Sequence, residues 1–270
     1  MNTPVIAAFA RLARENTAPL RFLEGQKTRI SRTMHALEYN ALYDEIVVGS
    51  PLTQTILTFR GGAGGEEPPI RVIQGPKTQI QGTDYDGNDK IALDQVNGEI
   101  YLPSATAGGA GKGVILVFDR MANGDVAPKR ILGGPDTGFT FPTAKGQGFP
   151  NVAVDATRNL LAVATGGQIR IFDRTASGNA RPLRTITGGG GQVKINAPNG
   201  MIIGSCQGGS ICAWSIEDTG AVGPRFKIPA QQITGVGFSG LAINPVHKEI
   251  ILPSGSRNVI ITFYWPEIFG

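Results

Sequence analysis

The side chains best suited to chemistry in this chain sit in its irregular stretches. Asp84, Asp86, Asn88 and Asp89 alternate through TQIQGTDYDGNDK, residues 78–90. Alternating oxygens of this kind are how a loop surrounds a hard cation such as calcium, here with Asp84, Asp86 and Asp89 as ligands. The stretch lacks the glycine-then-glutamate continuation of an EF-hand, so a solvated loop of Asx-turns is the competing reading. Tyr85, Phe139, Phe141, Phe149 and Phe238 fall in three such stretches, with Lys145 and Arg257 as cations in similar positions. Aromatic faces among polar loops either cover the neighbouring core or form a platform for a sugar or a peptide. His35, with Arg32 close before it, is one of two histidines, the other being His247. One histidine is not a catalytic constellation. The run Gly188–Gly191 has no lysine and hydroxyl after it, so it is no P-loop. Two cysteines, Cys206 and Cys212, exclude a disulfide framework. They either face each other across a hairpin or, the preferred reading, are small buried residues.

These residues are held by a repeat. IRIFDRTASGNARPLRTITG, from Ile169 to Gly188, has a close copy at Ile115–Gly134 and looser ones at Ile56–Gly75 and Ile6–Gly25. Aligned on Phe9, Phe59, Phe118, Phe172, Trp214 and Phe263, the period is about 50 residues, the length of a four-stranded propeller blade. In the best period, strand one is Val152–Asp155, strand two Leu160–Thr165, strand three Ile169–Arg174 and strand four Leu183–Thr187. Pro182 opens strand four and cannot donate to a ladder, which places that strand at the outer edge. Helical periodicity is almost absent. The count predicts an all-β, single β-propeller domain over 1–270, with five four-stranded blades. Repeats fill 35–263, and 1–34 supplies closing strands. Leu20–Glu24 would complete the last blade, which ends at strand three, and so remove its open edge. Val5–Arg11 is then surplus. Six blades is the alternative.

Comparing repeats within the chain gives columns. Strand one ends in Glu38, Asp94, Asp155, Asn196 and Asn244, read as Asx-turn acceptors rather than an axial ring of cation ligands. Strand two ends in Ser50, Ser104, Thr165, Ser205 and Ser254, read as hydroxyls capping the next turn; no histidine stands at fixed spacing to make any a nucleophile. Arg21, Arg71, Arg130 and Arg184 recur in strand four and read as solvated rim charge, with Asp119–Arg130 and Asp173–Arg184 as cross-strand pairs. Insertions gather on one face, at 78–90, 105–113, 137–150 and 231–240, and function is expected there. His35 would lie on that face near the axis.

Net charge is +4, from 25 basic and 21 acidic residues, too mixed to argue for nucleic acid. No run approaches a membrane span. The N-terminus lacks a basic n-region and a long apolar core, so localisation stays open between the cytosol and a mature or trimmed secreted or periplasmic form.

The consensus I-x-V-F-D-R-x-A-x-G-x-x-x-P-x-R-x-I-x-G, followed by A-V-D and E-I-x-L-P-S, resembles bacterial NHL-like and lactonase-like β-propeller repeats from Ile6 to Phe263. That resemblance implies the fold; such propellers host binding, scaffolding and hydrolysis alike. The gluconolactonase type implies an axial divalent metal held by carboxylates and an asparagine, a motif not matched here. The reading is therefore a non-enzymatic binding or protein-interaction propeller using its insertion-rich face, with a protein or a small polar or carbohydrate ligand as partner. Two alternatives stand beside it: a metal-dependent lactonase or hydrolase at the axial channel, and a structural subunit docked through its basic rim. Whether the chain is an enzyme is left open, leaning against. The ligand set for the binding reading is Arg32, His35, Tyr85, Phe139, Phe141, Lys145, Phe149, Phe238 and Arg257. No cofactor is expected; calcium is the cation the aspartates would admit.

Overall fold

A computed structural model describes residues 4–31, 34, 36–50, 53–81, 90–105, 113–139 and 150–270, with Ser50 and Ala105 described by backbone only. The chain divides into two compact units, with the boundary inside one strand near Ile131.

The first unit begins with a hairpin, β1 (Val5–Ala8) and β2 (Arg21–Glu24), paired from Val5 opposite Glu24 to Ala8 opposite Arg21. Blade one follows as β3 (Ala36–Asn40), β4 (Glu45–Ser50), β5 (Thr55–Arg60) and β6 (Arg71–Ile73). Blade two is β7 (Ala92–Asp94), β8 (Glu99–Ala105), β9 (Gly113–Asp119) and β10 (Arg130–Leu132). The second unit holds blade three, β11 (Asn151–Asp155), β12 (Leu160–Thr165), β13 (Gln168–Asp173) and β14 (Arg184–Thr187). Blade four is β15 (Gly189–Asn196), β16 (Met201–Cys206), β17 (Ser210–Ser215) and β18 (Phe226–Ile228). Blade five is β19 (Ala242–Asn244), β20 (Glu249–Ser254) and β21 (Val259–Tyr264). Strands within each blade are neighbours in chain order, so each blade is an antiparallel meander. The five expected blades are present.

Closure by Leu20–Glu24 is not what the ladders hold. β2 pairs with β1, and β19–β21 form a three-stranded sheet. The segment read as surplus is the reason: Ile6 in β1 stands opposite Leu23, as Ile56 stands opposite Ile73 in blade one. The hairpin thus repeats the pairing of strands three and four of a blade.

Apolar side chains on facing blades make the core. Ile73, Ile80, Ile100 and Phe118 pack together in the first unit. Ile169, Ile186, Val193 and Trp214 do so between blades three and four, and Ile203, Ile250, Leu252 and Trp265 between blades four and five. The aromatic that defined the repeat is wholly buried at Phe59, Phe118 and Phe172, and Trp214 is 1% exposed.

A second link joins neighbouring blades. The aliphatic residue of β2, β6, β10 and β14 bridges in parallel to a loop glycine further along the chain: Leu23 to Gly65, Ile73 to Gly124, Leu132 to Gly178 and Ile186 to Gly220. The residue after that glycine reaches back to the preceding blade. Asp125 accepts from the Lys77 N–H and Asn179 from the Asp136 N–H, each at 2.7 Å. Those donors open short 3-10 turns, Pro76–Thr78 and Pro135–Thr137, which satisfies N–H groups that a helix start leaves unpaired. Gly75 and Gly134 precede them at φ 134° and 125°. A Cβ at either would come within 2.5 Å of the capping side chain. The loop TASGNA, which the repeat presents as mere polar connection, is a clasp.

Helix is almost absent among the described residues, as read: α1 (Ala230–Thr234), at the start of the 231–240 insertion region, is closed by a left-handed Gly235. One further expectation is corrected here. Cys206 and Cys212 are disulfide-bonded, with Cα atoms 5.9 Å apart across the β16–β17 hairpin. Cys206 stands opposite Ser210 and Gly204 opposite Cys212, so the two cysteines are diagonal neighbours within reach of one bond.

Candidate functional site

Two of the strand-four arginines, Arg71 and Arg130, are not solvated rim charge, whereas Arg21 is exposed. Glu45 and Glu99 open the second strands of blades one and two, and each is about 95% buried, at 5% and 4% exposure. Arg71 and Arg120 both donate to Glu45 Oε1, the second at 2.7 Å, while Arg120 also lies 3.6 Å over the Tyr43 ring. Arg130 grips Glu99 with two parallel bonds of 2.8 and 2.6 Å, and Tyr101 and Lys129 add to it. Burial alone would raise the Glu99 carboxyl, but the hydrogen bonds from Arg130, Lys129 and Tyr101 outweigh it and hold it at about 2. The expected pairs, Asp119–Arg130 and Asp173–Arg184, are replaced by Glu99–Arg130 and Arg184–Glu217. The reason is side-chain direction: these arginines cross strand three to reach the head of strand two. Blade three has Leu160 there, and its Arg184 turns to the Ile216 carbonyl instead.

Strand one ends in Asx-turns in four blades, as read, while in blade four Asn196 donates its amide to Asn199 Oδ1 instead. Asp94 accepts from the N–H groups of Val96 and Asn97, and Asp155 from those of Thr157 and Arg158. The member in blade one is Asn40, which accepts from the Tyr43 N–H, and not Glu38. At Ser104 and Ser205 the hydroxyl at the end of strand two serves a different segment from the one expected, while Ser254 meets Ser256 in the next turn, as read. Ser104 accepts from the Gln81 N–H and donates to the Gln79 carbonyl, and Ser205 accepts from the Gln192 N–H and donates to the Gly190 carbonyl. Each ties the entry of strand one to strand two. By ladder register Cys206, not Ser205, is the counterpart of Ser104 in blade four; the β15 bulge between Gly189 and Val193 lets Ser205 take the role.

The insertion after β18 builds a concavity. Gln231 donates its N–H to the Gly209 carbonyl at 3.0 Å, and Gln192 Nε2 donates to the Ser239 carbonyl at 3.1 Å. Between these walls is a cleft of about 520 Å³, lined by Gln192, Ser205, Ser210, Gln231, Phe238 and Ser256 together with glycine main chain. Phe238 is half-buried: it packs on the core between blades four and five and shows a face to the cleft. No acid, base or histidine side chain is among the described lining residues. The polar groups of the lining are hydroxyls, amides and main chain, beside the apolar side chains of Phe238 and Ile211, suited to a neutral ligand.

Of the sequence-derived ligand set, Phe238 lines this cleft, and Arg257 lies exposed in the β20–β21 turn beside the lining residue Ser256. Phe139 is used elsewhere. Its ring meets Phe172 edge-on at 5.4 Å, which is the core-covering role. Arg32, His35, Tyr85, Phe141, Lys145 and Phe149 lie outside the described residues, as do Asp84, Asp86 and Asp89. Among the described residues no three acidic, histidine or cysteine side chains cluster to hold a metal ion. Gln192, Gln231 and Ser210 were missed because a single glutamine or serine carries no spacing signal. The length of the 231–240 insertion was the usable clue.

No family model matches the chain, and no curated protein matches it. Among solved structures, the β-propeller domain of Cps50 (Swd1) from Myceliophteria thermophila is similar, at 11% identity and a TM-score of 0.52. That likeness covers 86% of this chain and 65% of that one, so this chain spans under two thirds of its length. At such identity the likeness concerns fold alone: the protein is an all-β, five-bladed β-propeller. It supplies no family support for the NHL-like or lactonase-like resemblance. No helix is long and apolar enough to cross a membrane among the described residues.

Proposed function

We propose that the chain is a non-enzymatic binding propeller that holds a neutral, hydrogen-bond-rich ligand in the cleft under the 231–240 insertion. The observation that carries this reading is the chemistry of the lining: hydroxyls, amides and glycine main chain around one aromatic face, with no titratable side chain among the described lining residues. A carbohydrate fits best, because ring hydroxyls match the amides and serines while an apolar sugar face stacks on Phe238. The NHL-like repeat pattern supports a scaffold of this type and does not choose the ligand. Arg71, Arg120 and Arg130, being engaged with buried glutamates, give no support to docking through a basic rim.

Calorimetric titration of neutral oligosaccharides, after a glycan-array screen, tests the proposal. Phe238→Ala or Gln192→Ala should weaken binding about tenfold or more, the scale of one stacked ring or one buried hydrogen bond. Metal-dependent turnover of lactones that both variants retain in full would instead establish the hydrolase reading.

A further inference from the structure

The chain's two cysteines are spent on one crosslink, and it stands at the cleft. Cys206 and Cys212 bracket the end of the β16–β17 hairpin, whose turn is Gln207, Gly208 and Gly209. Ser205, Gly209, Ser210 and Ile211, all within or beside that bracket, line the cleft. The Gly209 carbonyl also holds the first turn of α1 through the Gln231 N–H at 3.0 Å. Gln231 lies so close that a Cβ on Gly209 would collide with its side chain. Ile211 and Ala230 share the core beneath. The bond thus fixes one wall of the cleft and, through Gly209, the base of the insertion that makes another.

The scaffold does not ask for this bond. By ladder register the places of Cys206 and Cys212 are filled in blade two by Ser104 and Leu116, and in blade five by Ser254 and Ile261. Those pairs cannot crosslink, and both hairpins form. In blade three the places belong to Thr165 and Arg170, and Arg170 Nη1 donates to the Thr165 carbonyl at 3.0 Å. The blade four turn has little rigidity of its own. Gly208 and Gly209 stand at φ 76° and 64°, and glycine has the most backbone freedom to lose. Cys206 and Ser210 are the last ladder pair before the turn.

We propose that the Cys206–Cys212 bond is a reversible redox site that holds the cleft in its binding shape, with a dithiol as its reductant. This rests on the cleft being a binding site. Cys206 is half-buried whereas Cys212 is 2% exposed, so a thiolate of the dithiol attacks Cys206 Sγ. The S–S bond breaks and Cys212 leaves as a thiolate. The second thiol of the reductant then displaces Cys206 and closes a disulfide within the reductant. Two electrons pass to the protein, and the protons of the two reductant thiols end on the two cysteines. With the bond open, the turn and the Gln231 anchor move more freely, and a ligand must order them on binding.

Hydrogen exchange of the full, ligand-free chain, with and without dithiothreitol, tests this, alongside alkylation to count free thiols. Reduction should expose two thiols and speed exchange in residues 205–212 and 229–235 together, about fivefold or more, with β11–β13 unchanged. Cys206→Ser restores the hydroxyl that blades two and five carry there. It should show the fast pattern without reductant and no response to dithiothreitol. Calorimetry with maltopentaose, a neutral oligosaccharide, should give an affinity about fivefold lower for the reduced chain and the variant alike. No maltopentaose binding in either state would count against the carbohydrate reading of the cleft, and the exchange result would still decide the redox site. The proposal is overturned if dithiothreitol leaves the bond intact in the folded chain, if exchange at 229–235 does not respond, or if every blade loosens alike. Oxidised and reduced chains that bind maltopentaose equally tightly overturn it too.

Discussion

Replacing Glu99 by glutamine keeps the side chain's size and removes its charge from the buried cluster of Arg130, Lys129 and Tyr101. The carboxyl stands at about 2 against an ordinary 4.5. At about 1.36 kcal/mol per unit, that difference has a ceiling of roughly 3.4 kcal/mol. Arg130 and Lys129 are 19% and 41% exposed, so solvent screens part of the interaction and we take about 2 kcal/mol. The folded value lies below the unfolded one, so this stabilisation is fully present above pH 4.5 and fades as pH falls toward 2. Glu99→Gln should therefore lower the melting temperature by about 4 °C at pH 7. The gap between variant and wild type should hold from pH 7 to pH 5 and narrow below 4.5. Differential scanning calorimetry over that range is the assay. A shift under about 1 °C at pH 7, or a gap that does not change with pH, would refute the reasoning that Glu99 is a buried, charge-assisted anchor.

Other parts of the scaffold give separate predictions. Gly134→Ala forces a Cβ onto φ 125° and into Asn179, and should cost about 1–3 kcal/mol in urea unfolding. Reducing the Cys206–Cys212 bond, which closes a six-residue separation, should remove about 2 kcal/mol, read as a lower melting temperature with dithiothreitol. Burial pushes the Lys194 ammonium down to about 8. Its charged form is penalised in the fold, so stability should rise between pH 8 and 10.5. Lys194→Met should add about 1–3 kcal/mol at pH 7 and almost nothing above pH 10.5.

Much of the fold was legible because it repeats. The recurring aromatic, the Asx-turn acids and the proline that opens strand four each follow a local rule, and comparison between repeats exposed them. What stayed hidden depends on direction across the sheet. Nothing in the spacing of Arg130 says that it passes Asp119 to reach Glu99, since both acids lie within plausible reach along neighbouring strands. Asn40 was displaced in the column by Glu38 because the weaker first repeat left its strand end ambiguous by two residues. The disulfide escaped for a similar reason: the separation of Cys206 and Cys212 fits a hairpin pair or two separately buried residues. Of the site, the 231–240 insertion and Phe238 were readable as an interruption of the period. The glutamines and serines around them became a cleft only once the chain had folded.

The central claim is that the cleft around Phe238 is a binding site and not a reaction centre. A crystal structure with the tightest neutral oligosaccharide, collected with an anomalous-scattering search for bound metal, tests it most directly. Ligand density is expected on Phe238 within hydrogen-bond reach of Gln192 and Gln231. Density instead on a divalent ion held by carboxylates or histidine, with the cleft empty, would contradict it.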